Sequence, residues 1–243
     1  MLRPLSVAYW AFICLTCPVF FVGALAVYVV TAPFDRRRVV LHLYSCAWAV
    51  FYVRINPLWR LRTTGRNRLP WRGPAVIVAN HASLVDIVVL FDLFRPFKWV
   101  SKHENFKLPF IGWNMTLNGY VSLVRGDRAS VARMLAECSE LIEAGNPVLF
   151  FPEGTRSRDG RLQPFKDGAF ELAVRHGVPV IPVAVHGTGR ALPKHGLILR
   201  EHVDAHVEVL EPLARDPDHP DPVVDLRNRT RDRIAASLLE RGA

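Results

Sequence analysis

Acidic residues are missing where the chain is most distinctive: between Asp35 and Asp86 there are nine Arg and no carboxylate. Residues 5–32 carry no charged side chain of either sign. Cysteine is sparse. Of the four, Cys14, Cys17 and Cys46 lie in apolar runs and Cys138 in a helical pattern, so neither a disulfide framework nor a zinc site is indicated. Cys14 and Cys17 are spaced C-x-x-C, but nothing nearby resembles a redox fold, and they read as two small apolar residues of a helix. The sequence also lacks G-x-S-x-G, H-E-x-x-H and G-x-G-x-x-G. A serine esterase, a zinc hydrolase and a dinucleotide enzyme are thus without their usual marks. There is no internal repeat and no low-complexity tract.

Of the 243 residues, half are apolar, enough for one sizeable domain with a full hydrophobic core. The formal net charge is +9. Its Arg-rich block adjoins the most apolar part of the chain, and a basic collar beside an apolar segment suits an anionic membrane surface. A nucleic-acid binder would interleave basic and aromatic residues on a folded domain, so no nucleic-acid partner is expected.

Residues 5–32, if helical, would reach roughly 42 Å at about 1.5 Å per residue, against a hydrocarbon core of about 30 Å. The run can span when tilted, or lie deep. A signal peptide is the rival reading, but its apolar region is usually about 7–15 residues, and this run ends in Arg36, Arg37 and Arg38 rather than a small-residue cleavage site. Pro18 can kink the helix or split it into a re-entrant pair. A second apolar stretch, residues 39–53, contains His42 and is too short to span; it reads as interfacial or packed on the first helix. The Arg density that follows places everything after residue 35 on the cytoplasmic side of a cell (inner) membrane.

These features divide the chain into an N-terminal membrane anchor, residues 1–56, with one long and one shorter apolar helix, and a cytoplasmic α/β domain, residues 57–243. Short apolar runs at 75–79, 99–101, 120–124, 148–151 and 180–185, with a further strand at 206–210, alternate with helical patterns. The clearest helix is 128–144, where Val131, Leu135, Cys138 and Ile142 recur at three- and four-residue steps before Gly145. Residues 216–222, with three Pro and three Asp, form a loop before a last amphipathic helix at 223–240. The expected fold is a central mixed sheet with helices on both faces.

Two segments carry chemistry. Asn80-His81-Ala82-Ser83-Leu84-Val85-Asp86 comes directly off an apolar strand, where open α/β sheets place their sites. In one continuous helix, His81 and Asp86 would point about 140° apart. They meet only if the helix starts after His81, and Ser83 supplies a start of the capping-box type, with Asp in place of Glu or Gln. Asp86 would then hold one imidazole nitrogen and leave the other basic. On this motif alone the alternative stands: a helix-start carboxylate and an ordinary loop histidine.

The second segment, Phe151-Pro152-Glu153-Gly154-Thr155-Arg156-Ser157, leaves another strand, with Arg158, Arg161 and Lys166 close behind. Gly154 permits a tight turn, and Arg156 can grip a phosphate through two parallel hydrogen bonds. It is an anion site in outline, though not a Walker P-loop; a solvated basic turn is the plain alternative.

Taken together, residues 60–210 resemble the 1-acylglycerol-3-phosphate O-acyltransferases, part of the wider glycerolipid acyltransferases. Four blocks stand in that family's order. Asn80-His81…Asp86 matches its His-x4-Asp motif, and residues 151–157 match its third motif unchanged. Gly119 to Arg125 resembles a block that typically ends in Asp-Arg, here with Val124 in place of the Asp. Val178-Pro179-Val180-Ile181-Pro182-Val183 matches the fourth. Ser101-Lys102…Pro109-Phe110-Ile111-Gly112 is similar to the linking segment.

The resemblance implies His81 as general base on an acceptor hydroxyl, with Asp86 orienting it. It implies Lys102, Arg125 and Arg156 as phosphate ligands, and Glu153, Gly154 and Thr155 as residues that shape or bind the acceptor. It implies no metal, no cofactor and no covalent acyl-enzyme; acyl-CoA or acyl-carrier protein is the donor and a lysophospholipid the acceptor. Val124 leaves other lysolipids open as acceptors, such as a lyso-ornithine lipid. A thioesterase, or a non-catalytic membrane-bound scaffold, are the readings from other classes.

Overall fold

The structure is a computed structural model that describes residues 2–157, 161–189, 191, 199 and 202–241. Arg158 lies outside the described residues.

Helix α1 (Leu2–Thr31) runs through Pro18 without interruption. Val7, Leu15, Val19, Val22, Val29 and Val30 all point away from the protein. With a mean hydropathy of 2.4, α1 is long and apolar enough to cross a membrane. After a tight turn, Asp35 caps α2 (Val39–Ile55): its carboxylate accepts from the Val39 and Val40 amides at 2.9 and 2.7 Å. One side of α2 meets α1, where Phe20 stacks on Trp48 at 5.5 Å. Its other residues, Leu41, His42, Ser45, Cys46, Val50 and Val53, are buried. The short apolar stretch is therefore a packed helix.

Seven strands form one sheet: β1 (Trp59–Thr64), β2 (Val76–Ala79), β3 (Lys98–Lys102), β4 (Val121–Leu123), β5 (Val148–Phe150), β6 (Val180–His186) and β7 (Val203–Val209). The spatial order is β1-β7-β6-β2-β5-β3-β4. Every pairing is parallel except β6 with β7, which makes the sheet mixed.

Because side chains alternate faces along a strand, Ile77, Ala79, Leu149, Ile181 and Val183 build one core while Val76, Val78, Val148, Phe150, Val180 and Ala184 build the other. The first lies under α3 (Val85–Leu90), through Val85, Val89 and Leu90. Helices α5 (Arg128–Glu143), α6 (Gly168–His176) and α7 (Pro222–Glu240) cover the second. A short helix, α4 (Ile111–Leu117), precedes β4.

Two details differ from the sequence reading. The inward stripe of α5 is Ser130, Met134, Cys138 and Ile142, while Val131 is exposed. Its first half is rotated by one position because Ser130 turns in, where its hydroxyl oxygen accepts from the Val124 amide at 2.9 Å. An additional strand, β1, lies inside the Arg-rich block. It is an edge strand whose Arg60 and Arg62 face solvent, so its pattern of alternation read as a basic collar.

Candidate active site

In parallel strands, all C-termini lie along one edge of the sheet. Across β6-β2-β5-β3-β4 that edge carries, in order, Thr188, His81, Glu153 with Arg156, Lys102 and Arg125. The topology thus gathers residues spread over more than a hundred positions into one row, at the place where open α/β sheets bind ligands.

The chain after β2 is fixed before the helix begins. The side chain of Asn80 acts as a short strand extension, donating Nδ2–H to the Val185 carbonyl at 2.9 Å and accepting from the Val185 amide at 2.8 Å. The amide of His81 donates to Glu153 Oε1 at 2.7 Å, and its carbonyl accepts from the Ser157 amide at 3.0 Å. Helix α3 starts two residues beyond Ser83, which accepts only a long contact from the Val85 amide at 3.3 Å. The return arm of the capping box is present: Asp86 Oδ2 accepts from the Ser83 and Ala82 amides at 2.8 and 2.6 Å.

This arrangement brings His81 Nδ1 to 2.9 Å from Asp86 Oδ2, with both side chains buried. The other carboxylate oxygen accepts the hydroxyl proton of Thr188. An oxygen pair that already takes up two amides and a hydroxyl is an acceptor, so Nδ1 carries the proton and Nε2 keeps its lone pair. The His81 ring stacks on Phe151, with centroids 4.0 Å apart and planes at 16°. The ring's tilt is fixed by Phe151 and its rotation by Asp86.

Glu153 is a buried brace. Its carboxylate accepts from His81 N at 2.7 Å and from Gln163 N at 2.9 Å, tying the β2 and β5 loops together. Burial raises its pKa above the usual carboxylate range, partly opposed by those two amide donors and by His81, with Asp86 adding to the rise. Gly154 follows with φ +69°, and a Cβ there would sit 2.8 Å from Lys166 Nζ. Only glycine takes this turn without strain while letting the lysine cross it. Thr155 is exposed.

Farther along the edge the charge is positive. Arg125 has its pKa lowered, first by partial burial and then by the like charge of Arg156, with Glu104 pulling the other way. The two guanidinium groups therefore share one field, which an anion would relieve. Lys102 is exposed and bridges to Glu104 at 3.1 Å, the same carboxylate that pulls on Arg125. The structure thus joins His81, Asp86 and Glu153 directly and sets Arg125 and Arg156 near each other, while Lys102 is paired with Glu104.

Neither Thr188 nor the stacking role of Phe151 stands out in the sequence. Thr188 stands between Gly187 and Gly189 just past β6, and that glycine-flanked hydroxyl at a strand's C-terminus was the available signal.

The family model for acyltransferases matches residues 60–186, which spans β1 through β6 and every residue of this edge up to the end of β6. The chain belongs to the acyltransferase family. Similar curated proteins include the 1-acyl-sn-glycerol-3-phosphate acyltransferase of Chlamydomonas reinhardtii, 42% identical over 79% of this chain and 57% of that protein. The chloroplastic LPAT1 of Arabidopsis thaliana is 39% identical over 83% of this chain and 55% of its own length. The enzyme of the same name from Pseudomonas aeruginosa is 33% identical over 68% and 63%. The chain thus spans little more than half the length of the first two. In fold, this acyltransferase-family chain is similar to the crystal structure of the 1-acyl-sn-glycerophosphate acyltransferase PlsC from Thermotoga maritima. The TM-score is 0.78, with 24% identity, covering 100% of this chain and 98% of that one.

Proposed function

We propose that the chain is a membrane-bound acyltransferase that moves a fatty acyl group from acyl-CoA or acyl-carrier protein to the sn-2 hydroxyl of 1-acylglycerol-3-phosphate, giving phosphatidate. The observation that carries this reading is the buried 2.9 Å contact between His81 and Asp86, on the same sheet edge as Arg125 and Arg156. The names of the curated relatives support the acceptor.

A thioester is already activated, so the enzyme has to raise the nucleophilicity of an alcohol and hold the reactants together. His81 Nε2 takes the hydroxyl proton as the oxygen attacks the thioester carbonyl. Asp86 stabilises the imidazolium that forms and keeps Nδ1 as the donor. The tetrahedral adduct collapses with cleavage of the carbon–sulfur bond, and the thiolate leaves with the proton that His81 took up. Neither a cofactor nor a metal is needed for this sequence of proton transfers.

Arg125 and Arg156 are the phosphate ligands, joined by Lys102 if the phosphate displaces Glu104. Glu153, Gly154 and Thr155 shape the acceptor site. Residues 1–56 form the anchor and residues 57–243 the catalytic domain on the cytoplasmic side of a cell membrane, where a lysolipid acceptor and a two-chain product both reside. The length and apolar surface of α1 support a membrane anchor.

The test is purified protein supplied with acyl-CoA and a panel of lysolipids. Brisk turnover of lysophosphatidate, lost in His81→Ala, is the expected result. Turnover of another lysolipid alone would overturn the acceptor, and release of free fatty acid without a lipid product would make the enzyme a thioesterase.

A further inference from the structure

The antiparallel pairing of β6 and β7 places His186 directly opposite His206, and Glu208 follows two residues on, on the same face of its strand as His206. This cluster lies under the C-terminal part of α7 and takes no part in the acyl transfer proposed above. We propose that His186, His206 and Glu208 form a binding site for one divalent cation of the zinc class.

Geometry is the first support. One ligand atom from each of the three side chains lies within 4.8 Å of the others, and His186 Nε2 is 3.7 Å from Glu208 Oε2. Donors about 2.0–2.2 Å from a tetrahedral zinc ion are roughly 3.3 Å apart, so small side-chain rotations close the set. The rings of His186 and His206 stack, with centroids 5.4 Å apart and planes at 26°, which keeps the two imidazoles adjacent. Two imidazoles and one carboxylate are a recurrent zinc-binding trio with a fourth position left for water.

The second support is unmet hydrogen bonding. His186 and His206 are 5% and 7% exposed, and among the described residues the buried Nδ1 of each has no hydrogen-bond partner. A buried polar atom left alone is uncommon and calls for a reason. His206 Nε2 is held by the Thr64 hydroxyl at 2.9 Å, whereas His186 Nε2, the nitrogen that faces Glu208, contacts Ser237 at 3.2 Å, a contact that an ion would replace. Anchoring one ring nitrogen while the other meets a cation is how ligating histidines are oriented. Ser237 also donates to Glu208 Oε2 at 2.9 Å, steadying the carboxylate. Glu208 is the most open of the three and gives an entry from solvent, where Arg241, at 3.7 Å, is the competitor an ion would displace.

The site would also brace the neighbouring loop. Gly187 has φ +75° and fits so closely that a Cβ would come within 2.2 Å of the Asp204 carbonyl. Thr188, next in the chain, holds Asp86. A cation joining β6 to β7 would fix the strand end from which Thr188 reaches over.

Full-length protein, purified in detergent and stripped with a chelator, should bind one equivalent of Zn²⁺ by calorimetry. With Co²⁺ it should show the visible absorption of a low-symmetry, four- or five-coordinate site. His206→Gln and Glu208→Gln should each weaken Zn²⁺ binding at least ten-fold while melting, metal-free, at the same temperature as the parent. X-ray absorption of the zinc-loaded parent gives a readout independent of any variant and should show imidazole scattering. Absence of stoichiometric Zn²⁺ binding, a spectrum without imidazole, or well-folded variants that bind as the parent does would each overturn the assignment.

Discussion

Thr188 donates its hydroxyl proton to Oδ1 of Asp86, the carboxylate oxygen opposite the one that His81 contacts. The imidazole, the carboxylate and the hydroxyl thus form one buried chain that joins the end of β6 to the start of α3 across the loop after β2.

Replacing Thr188 by Val keeps the shape and removes the donor, leaving Asp86 Oδ1 buried and short of a partner. A hydrogen bond to a charged group is worth about 1.5–3 kcal/mol, so kcat should fall by roughly 10- to 100-fold. KM for the acceptor should hardly move, because Thr188 acts through Asp86 and touches no phosphate ligand. Steady-state kinetics with both substrates varied checks this; a change in acceptor KM with kcat intact would contradict the positioning role.

Glu153→Gln is nearly isosteric, yet both carboxylate oxygens accept amide protons, from His81 and Gln163. An amide side chain can satisfy one and must turn a donor toward the other. The expected cost is about 1–3 kcal/mol of stability, with a larger loss of activity because the misplaced amide belongs to His81 itself. Denaturant melts and assays on the same preparation measure the two effects, and Glu153→Asp should not rescue them, since the shorter side chain cannot reach both loops.

How far this site was legible in the sequence follows from its local and non-local parts. His81 and Asp86 are five residues apart, and a strand-to-helix break between them was enough to make them meet; the structure has that break, with α3 starting at Val85. Residues 151–157 were visible as one block for the same reason. Thr188 is 102 residues from Asp86, and the pair of His186 with His206 depends on the register of β6 against β7, which no local pattern encodes. Strand β1 was hidden because an edge strand needs only one apolar face, and its other face carries arginine. The central strands β2, β5 and β6, buried on both faces, were the easiest to read.

Arg156→Ala should raise KM for the phosphate-bearing acceptor far more than KM for the acyl donor, and Arg125→Ala should do the same. The like charge of Arg156 lowers the pKa of Arg125, which places both in one field, and an anion bound between them relieves that repulsion. The double variant should then cost less than the sum of the two single losses, since each removal also removes a repulsion. Substrate titrations on the three variants test the point; equal losses for donor and acceptor would remove both residues from phosphate binding.

Lys98 gives a pH-dependent prediction outside the proposed reaction centre. Its ammonium is 4% exposed and donates to the carbonyls of Arg37 at 2.8 Å and Asn118 at 2.7 Å, where α2 begins and α4 ends. Burial, and then Arg38 and Arg37, push its pKa down to about 7, with Asp35 opposing. An unfolded lysine keeps its proton to about pH 10.4. Between those values the unfolded chain binds more protons than the folded one, so this residue makes stability rise with pH, by at most about 1.4 kcal/mol per pH unit. Below pH 7 both states hold the proton and the slope vanishes. Melting at pH 7.5 and at pH 9.5 should therefore show a gain at the higher pH that is absent in Lys98→Met. An equal gain in the variant would assign the slope to other groups.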